Sequence, residues 1–206
     1  MKKYIELTLI PNPEVTLYFL WSKLYIQLHL AFVEIQDSSK QVPVGVSFPE
    51  YKEKDHKNKK IILLGSKIRL FAQDEETLVR PNLSKWLERL TDYVHIKSIS
   101  AVPEKIAGHI VVSRHHFPAT SERLARRYAS RHKDEVGSDE AGYQKALERL
   151  KGYEREVPAY PYIQLKSLSG ENKPFNLFIS QRVVDAEKTG FFSTYGLSAE
   201  VTVPFW

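Results

Sequence analysis

The 206-residue sequence contains no cysteine. This absence excludes disulfide bonds, thiolate nucleophiles and zinc sites built on cysteine ligands, and it suits a reducing compartment. The sequence also lacks an apolar run long enough to span a bilayer. Its first residues, MKKYIELTLIPNPE, are typical of a charged edge entering a strand rather than of a signal peptide. We therefore expect a soluble protein of the cytoplasm.

The signatures of several common hydrolases are missing as well. There is no Gly-rich phosphate loop, no HExxH motif and no GxSxG motif, so nucleotide hydrolysis, zinc proteolysis and esterase chemistry lose support. The acidic residues are scattered or alternate with lysine, as in EYKEKDHK at 50–57, which argues against a two-metal nuclease site. RNA cleavage needs no metal or cofactor, because the 2′-hydroxyl of RNA attacks the adjacent phosphate once a side chain removes its proton.

What the sequence has in excess is positive charge in one segment, residues 114–133 (RHHFPATSERLARRYASRHK). Its six basic side chains stand against the single acid Glu122, so the segment carries as much net charge as the whole chain, +5. On a helix, four arginines fall at i, i+3, i+4 and i+8 and line one face: Arg123, Arg126, Arg127 and Arg131. Because the arginine fork matches phosphate oxygens, this arginine helix favours nucleic-acid binding over a merely solvated basic face. Leu124 and Tyr128 point to another side and can anchor it.

The first hundred residues predict the element order βαββαβ. The predicted elements are a strand at 3–9, a helix at 14–35, a strand at 44–48, an exposed lysine-rich loop at 51–60, a strand at 61–71, a helix at 74–90 that bends or restarts at Pro81, and a strand at 93–98. This order is typical of the ferredoxin-like fold, whose open sheet hosts many RNA-binding proteins. We expect residues 1–100 to form a ferredoxin-like domain.

A change of character after Pro103 predicts a second domain at 101–206. Its predicted elements are a strand at 106–114, the arginine helix capped by Thr120 or Ser121, a helix at 138–153, and short strands at 162–167, 175–179, 182–186 and 201–205. The predicted fold class is therefore α+β, with a ferredoxin-like amino-terminal domain and a carboxyl-terminal α+β domain that carries the arginine helix.

A histidine is the side chain best suited to deprotonate a 2′-hydroxyl, since its ordinary pKa near 6.5 leaves it largely neutral at cellular pH. Seven histidines compete for this role. His29 lies inside the predicted first helix among leucines, where a histidine is more often a core residue than a base. His115, His116 and His132 flank the arginine helix and either contact a nucleic acid or form caps and turns. The residues alone leave the base unassigned.

Ten short strings, taken in order, resemble the CRISPR repeat-processing endoribonuclease family of subtype I-F. The strings are YIELTLIPNPE (4–14), LHLAFVE (28–34), GVSFPE (45–50), WLERL (86–90), VVSRHH (111–116), ERLARRYASRH (122–132), LKSLS (165–169), FNLFI (175–179), YGLS (195–198) and VPFW (203–206). The resemblance covers nearly the whole chain. GVSFP and YGLS are feeble singly, but their placement on either side of the arginine helix makes them specific together.

The resemblance implies a metal-independent enzyme, without a cofactor, that cleaves precursor CRISPR RNA at the base of the repeat hairpin. Attack by the 2′-hydroxyl would leave a 2′,3′-cyclic phosphate on the hairpin fragment and a 5′-hydroxyl downstream. His29 would be the general base, Tyr195 would orient or tune it, and Ser167 would hold the attacking ribose. The protein, a monomer when free and without membrane contact, would then stay on the hairpin among the other subunits of the type I-F surveillance complex.

The resemblance also implies how the hairpin is held. Backbone contacts in the major groove near the end of a short stem would come from Arg123, Arg126, Arg127, Arg131 and His132. Arg114 would read a guanine edge, Phe175 would stack on the terminal base pair, and Ser169 would join the RNA-binding set. His116 stands where the family often has glutamine, and Ser130 where arginine is common, so the base preference and one backbone contact differ.

The arginine helix is also consistent with two other kinds of protein. One is a ribonucleoprotein subunit that binds an RNA hairpin without cutting it, and the other is a double-stranded DNA binder. The role of His29 and its partners distinguishes the enzyme from the non-cutting RNA-binding subunit. The need for a ribose at the cut distinguishes it from the DNA binder.

Overall fold

The computed structural model describes residues 1–56, 59–117, 120–132, 139–152, 160–167 and 173–206. They contain both helices and strands, which confirms the α+β class. The chain divides into two compact units: unit 1 is Met1–His115 together with Ala159–Trp206, and unit 2 is His116–Pro158. In the described ranges, every helix is too short or too polar to cross a membrane.

The bounds of the elements follow the chain. Up to His115 they are β1 (Lys3–Leu9), α1 (Leu17–Ile35), β2 (Gln41–Val42), β3 (Gly45–Ser47), β4 (Lys52–His56), β5 (Lys59–Leu63), β6 (Lys67–Ala72), α2 (Glu75–Val79), α3 (Leu83–Trp86), a 3-10 turn (Glu88–Leu90), β7 (Val94–Ile96), β8 (Ser100–Ala101) and β9 (Gly108–Arg114). Unit 2 contains α4 (Ser121–Arg131) and α5 (Asp139–Arg149). Unit 1 then resumes with β10 (Tyr162–Lys166), β11 (Pro174–Val184), β12 (Phe192–Ser193) and β13 (Thr202–Phe205).

The first sheet of unit 1 has the strand order β3-β6-β1-β7, and all its neighbours are antiparallel. Helix α1 begins after Thr16, whose hydroxyl accepts a hydrogen bond from the Phe19 amide at 3.3 Å. Leu20, Leu24 and Leu28 recur every four residues and are buried, so one face of α1 joins the core. The predicted strand at 3–9 and the predicted first helix are confirmed, the helix starting three residues later than expected.

The second sheet of unit 1 has the antiparallel order β10-β11-β9-β13. Its inward residues, among them Ile110 and Leu177, belong to the same buried cluster as Leu7 and Leu24 of the first half. The compact units therefore do not divide at the predicted boundary near residue 100, since strands from both halves of the sequence bury their apolar faces in one core.

Three predicted elements differ in the structure. The predicted loop at 51–60 contains β4 and most of a hairpin with β5. The predicted strand at 61–71 is interrupted at Gly65, which has a left-handed φ of 79°. The two strands predicted at 175–186 are one strand, β11, because its pairing with β9 continues from Ile179 to Val184. The predicted restart at Pro81 is confirmed by the break between α2 and α3.

The described residues of unit 2 include two helices that contact each other, α4 and α5. Thr120 caps α4, its hydroxyl accepting a hydrogen bond from the Arg123 amide at 3.3 Å, and it is one of the two caps that the sequence allows, Thr120 or Ser121. The buried residues of α4 are Ala125 and Ala129, whereas Leu124 and Tyr128 are only half-buried. Small side chains therefore form the centre of the anchoring face, and the larger predicted anchors lie beside it.

Candidate active site and nucleic-acid interface

His29 lies on α1, half-buried, and makes a defined hydrogen bond. Its Nδ1 is 2.9 Å from the carbonyl oxygen of Thr194. A carbonyl oxygen only accepts hydrogen bonds, so Nδ1 carries the hydrogen and donates it. In the neutral ring, the lone pair is then on Nε2. The local chemistry therefore presents Nε2 as a base.

The ring of Tyr195 stacks on the ring of His29. Their centroids are 4.1 Å apart and their planes differ by only 5°. One helical turn before His29, the hydroxyl of Tyr25 donates a hydrogen bond of 2.9 Å to the Tyr195 carbonyl, and the two tyrosine rings are also nearly parallel. Two side chains of α1 thus hold the Thr194–Tyr195 segment in place, and this segment in turn fixes the orientation of the imidazole.

The environment sets the protonation states of this pair. Burial lowers the pKa of His29 below its ordinary value, and the hydrogen bond to Thr194 opposes this only in part. Burial raises the pKa of Tyr195, and the positive charge of Arg114 acts in the opposite direction. At neutral pH, His29 is therefore a neutral imidazole and Tyr195 is a neutral phenol.

Gly196 explains why the YGLS and GVSFP motifs occur together. It has a left-handed φ of +70°, and a Cβ built on it would lie 2.4 Å from Cγ1 of Val46. Its carbonyl oxygen accepts a hydrogen bond of 3.0 Å from the Val46 amide. A side chain at position 196 would thus push the turn that carries Tyr195 away from the GVSFP strand.

Arg114 and Phe175 lie near the same pair. Arg114 is the last residue of β9 and is exposed, and its guanidinium carbon lies 5.6 Å from the centroid of the Phe175 ring. Burial raises the pKa of Tyr195, and the positive charge of Arg114 opposes that rise in part. The structure therefore brings together His29, Tyr195, Arg114 and Phe175, four of the residues that the sequence predicted for the site.

Ser167 follows β10, and its amide donates a hydrogen bond of 3.1 Å to the carbonyl oxygen of Lys173. A cleft of about 600 Å³ lies between α1 and this strand, lined by Ser22 and Ile26 on one side and by Lys166 on the other. In the described part of the chain, no hydrogen bond or ring contact joins Ser167 to His29 or Tyr195. Ser169 lies outside the described residues.

The arginine helix corresponds to α4. All four arginines of its predicted face are exposed: Arg123, Arg126, Arg127 and Arg131. His132 ends the helix, its Nδ1 lying 3.0 Å from the Tyr128 carbonyl oxygen and its ring stacked on Tyr128 at 4.2 Å. His116 also belongs to unit 2 and is exposed. Of the two roles left open for His132, the structure describes the capping role.

The other histidines have different surroundings. His95 is exposed on β7. His109 lies 4.0 Å from the carboxylate of Glu187, and the ring of His115 stacks on Tyr160 at 4.1 Å. Within the described ranges, no three His, Asp or Glu side chains cluster as a metal site requires.

Sequence reasoning missed Tyr25 and Thr194. Tyr25 precedes His29 by four residues, which places both on one face of a helix, and this spacing was the available signal. Thr194 contributes only its backbone carbonyl, which any residue supplies, so its identity carries no signal.

Comparisons with known proteins agree over the length of the chain. The family model described as CRISPR-associated protein (Cas_Csy4) matches residues 4–206. A protein of Escherichia coli (strain UTI89 / UPEC), named CRISPR-associated endonuclease Cas6/Csy4, is 31% identical, with both chains covered completely. A protein of the same name from Pseudomonas aeruginosa (strain UCBPP-PA14) is also 31% identical, again over the whole of both chains. A solved structure named CRISPR associated protein Cas6 covers 100% of this chain and 99% of its own at 12% identity, with a TM-score of 0.35.

Proposed function

Because the chain belongs to the Cas_Csy4 family of CRISPR-associated proteins, we propose that it cuts precursor CRISPR RNA at the base of the repeat hairpin. It is an endoribonuclease, in keeping with the endonuclease names of its relatives. The observation that carries the proposal is the ring of His29, whose Nδ1 donates to Thr194 and whose face stacks on Tyr195.

The proposed reaction starts at Nε2 of His29. This nitrogen removes the proton of the 2′-hydroxyl, and the resulting oxygen attacks the adjacent phosphorus. The bond from phosphorus to the 5′-oxygen breaks, and that oxygen takes up a proton. The products are a 2′,3′-cyclic phosphate on the hairpin and a 5′-hydroxyl on the downstream strand. No step in this sequence requires a metal ion.

Other residues of unit 1 position the RNA in this scheme. Tyr195 holds the imidazole through its stacked ring, and Ser167 holds the attacking ribose from the end of β10. Arg114 reads a guanine at the base of the stem and Phe175 stacks on the last base pair, a pairing supported by the 5.6 Å contact between their side chains. Ser169 completes these contacts, and His116 of unit 2 contributes a further contact to a base edge.

The arginine helix supplies most of the hairpin affinity in this proposal. Its four exposed arginines contact the phosphate backbone. His132 adds a contact at the end of the helix. The protein remains on the cut hairpin in the cytoplasm and joins the other subunits of a type I-F surveillance complex.

The ferredoxin-like arrangement of the amino-terminal sheet is supported by its strand order, with β1 and β6 central.

An assay in excess EDTA tests this function. We expect the purified protein to cleave its repeat hairpin there and to leave a fragment ending in a 2′,3′-cyclic phosphate. A substrate with one deoxyribose at the cut should bind normally and remain intact, because the attacking hydroxyl is gone. Binding without cleavage of the all-ribose hairpin would instead identify a non-catalytic RNA-binding subunit, and equal affinity for a DNA hairpin would identify a DNA binder.

Two substitutions of Tyr195 separate its ring from its hydroxyl. Tyr195→Phe retains the stack on His29, so we expect cleavage close to that of the unchanged protein. Tyr195→Leu removes the stack and frees the imidazole to turn, and we expect a loss of about 10²-fold in the single-turnover rate. Hairpin affinity should be the same for both variants. If Tyr195→Phe is as slow as Tyr195→Leu, the hydroxyl takes part directly and the positioning role is wrong.

A further inference from the structure

A second cleft opens on α1 and shares Phe19 and Lys23 with the cleft beside β10. It has a volume of about 530 Å³ and lies between α1 and the segment from α3 through the 3-10 turn, and we call it the α1–α3 cleft. Its lining residues are Phe19, Lys23, Gln27, Lys85, Trp86, Glu88, Arg89 and Leu90. Phe19 is a large apolar side chain that is 50% exposed. The cleft thus combines aromatic rings with positively charged side chains, and this combination is typical of sites that bind single-stranded nucleic acid.

The cations and rings of the α1–α3 cleft are arranged in pairs. The Lys23 ammonium lies 5.0 Å from the centroid of Phe19, and the Lys85 ammonium lies 5.1 Å from that of Trp86. Glu34 fixes the second pair, accepting hydrogen bonds from Lys85 at 2.9 Å and from the Trp86 indole at 3.1 Å. Trp86 is thereby held in one orientation, as a stacking platform requires.

Charge in this cleft remains available to a ligand. Lys85 is paired with Glu34, and Glu88 is the acid in the lining. For Lys23 and Arg89, by contrast, the described part of the chain contains no acidic partner. Two cations are therefore free to meet phosphate oxygens, whose negative charge they complement.

The α1–α3 cleft shares its helix with the proposed base. Lys23 precedes His29 by six residues, which is about 9 Å along the axis at the rise of an α-helix. Six residues also correspond to a rotation of about 120° around the axis, so a strand that passes His29 crosses part of the α1 surface to reach this cleft. The strand joined directly to the scissile phosphate on its far side is the downstream RNA, whereas the upstream flank leaves from the other strand of the stem.

We propose that the α1–α3 cleft binds the single-stranded RNA immediately downstream of the cut. Bases stack on Phe19 and Trp86, and Lys23 and Arg89 contact the phosphates. This inference rests on the proposed function, since it needs a cut beside His29. It gives the enzyme a hold on the strand that leaves after cleavage, separate from the hold on the retained hairpin.

Deoxy-substituted hairpins of different length test the proposal without cleavage. One hairpin ends one nucleotide past the cut, and the other continues for eight nucleotides. We expect the unchanged protein to bind the longer RNA about 10-fold more tightly. Lys23→Gln/Arg89→Gln and Phe19→Ala should each reduce this advantage severalfold while leaving the affinity for the short hairpin unchanged. All three side chains are exposed, so these variants are expected to fold.

A matched control removes the same charge elsewhere on unit 1. Lys2→Gln/Lys105→Gln, at two exposed lysines outside the cleft, should retain the full advantage of the longer RNA. Equal affinity of the unchanged protein for both lengths, or an advantage that persists in the cleft variants, overturns the proposal. The proposal is also overturned if an upstream extension of the RNA strengthens binding and the cleft variants lose that effect. Failure to cleave the short all-ribose hairpin would overturn the proposed function itself, and the cleft inference with it.

Discussion

His29→Ala is expected to reduce cleavage of the repeat hairpin by about 10²- to 10⁴-fold and to leave hairpin affinity unchanged. The reason is that the substitution removes Nε2 of a neutral imidazole, the proposed base. The arginines of α4, which supply the affinity in the proposal, are untouched. Single-turnover cleavage and equilibrium binding to a deoxy-substituted hairpin measure the two effects separately.

Two controls distinguish lost chemistry from lost structure. His29→Asn retains an amide near Nδ1 that can donate to Thr194, but it offers no base, so we expect it to be as inactive as His29→Ala. His95→Ala removes an exposed histidine of β7 and should leave cleavage unchanged. Full cleavage by both His29 variants would show that another group is the base.

The pH dependence of the unchanged protein provides a further readout of His29. Only the neutral ring accepts a proton, so the cleavage rate rises with pH and levels off above the pKa of His29. Burial lowers that pKa, so the plateau begins below the ordinary value near 6.5. The same shift favours the neutral ring in the folded state. The neutral His29 ring therefore contributes fully to the free energy of unfolding above the pKa that His29 has in the unfolded chain. This contribution is lost as pH falls through the lower pKa of His29 in the folded protein.

Local sequence patterns predict those elements of the fold that local interactions stabilise. The alternation of β1, the leucine spacing of α1 and the cap of α4 were all readable, and the structure contains them. The hairpin of β4 and β5 was read as a loop because its lysine-rich sequence is typical of exposed turns. The extent of β11 depends on pairing with β9, some 70 residues earlier in the chain, which no local pattern encodes.

The candidate site shows the same limit more sharply. Taken alone, His29 resembled a core residue. The contacts that support its proposed role as the base come from Thr194 and Tyr195, and the hydrogen bond to Thr194 joins residues 165 positions apart in the chain. Only the resemblance of whole motifs pointed to the pair. The spatial reason for that resemblance is visible at Gly196, which packs on Val46 and thereby ties the YGLS turn to the GVSFP strand.

Replacing all four arginines of the α4 face by glutamine is expected to weaken hairpin binding by at least about 10²-fold near physiological salt. The positions are Arg123, Arg126, Arg127 and Arg131, all exposed, so the loss reflects phosphate contacts rather than folding. Each lost contact should also reduce the slope of log affinity against log salt by about 0.7 to 0.9. Titrations at several salt concentrations measure both quantities on one hairpin.

The matched comparison removes equal charge from α4 and from α5 with the residues just after it. Arg126→Gln/Arg127→Gln should reduce affinity and salt slope, whereas Lys145→Gln/Lys151→Gln on and just after α5 should change both far less, although the net charge is the same. Arg126→Lys/Arg127→Lys keeps the charge but loses the planar fork. The hairpin affinity of this variant should therefore lie between those of Arg126→Gln/Arg127→Gln and Lys145→Gln/Lys151→Gln. If both glutamine pairs weaken binding equally, general attraction explains the affinity, and α4 is a solvated basic face rather than the part of the protein that grips the hairpin.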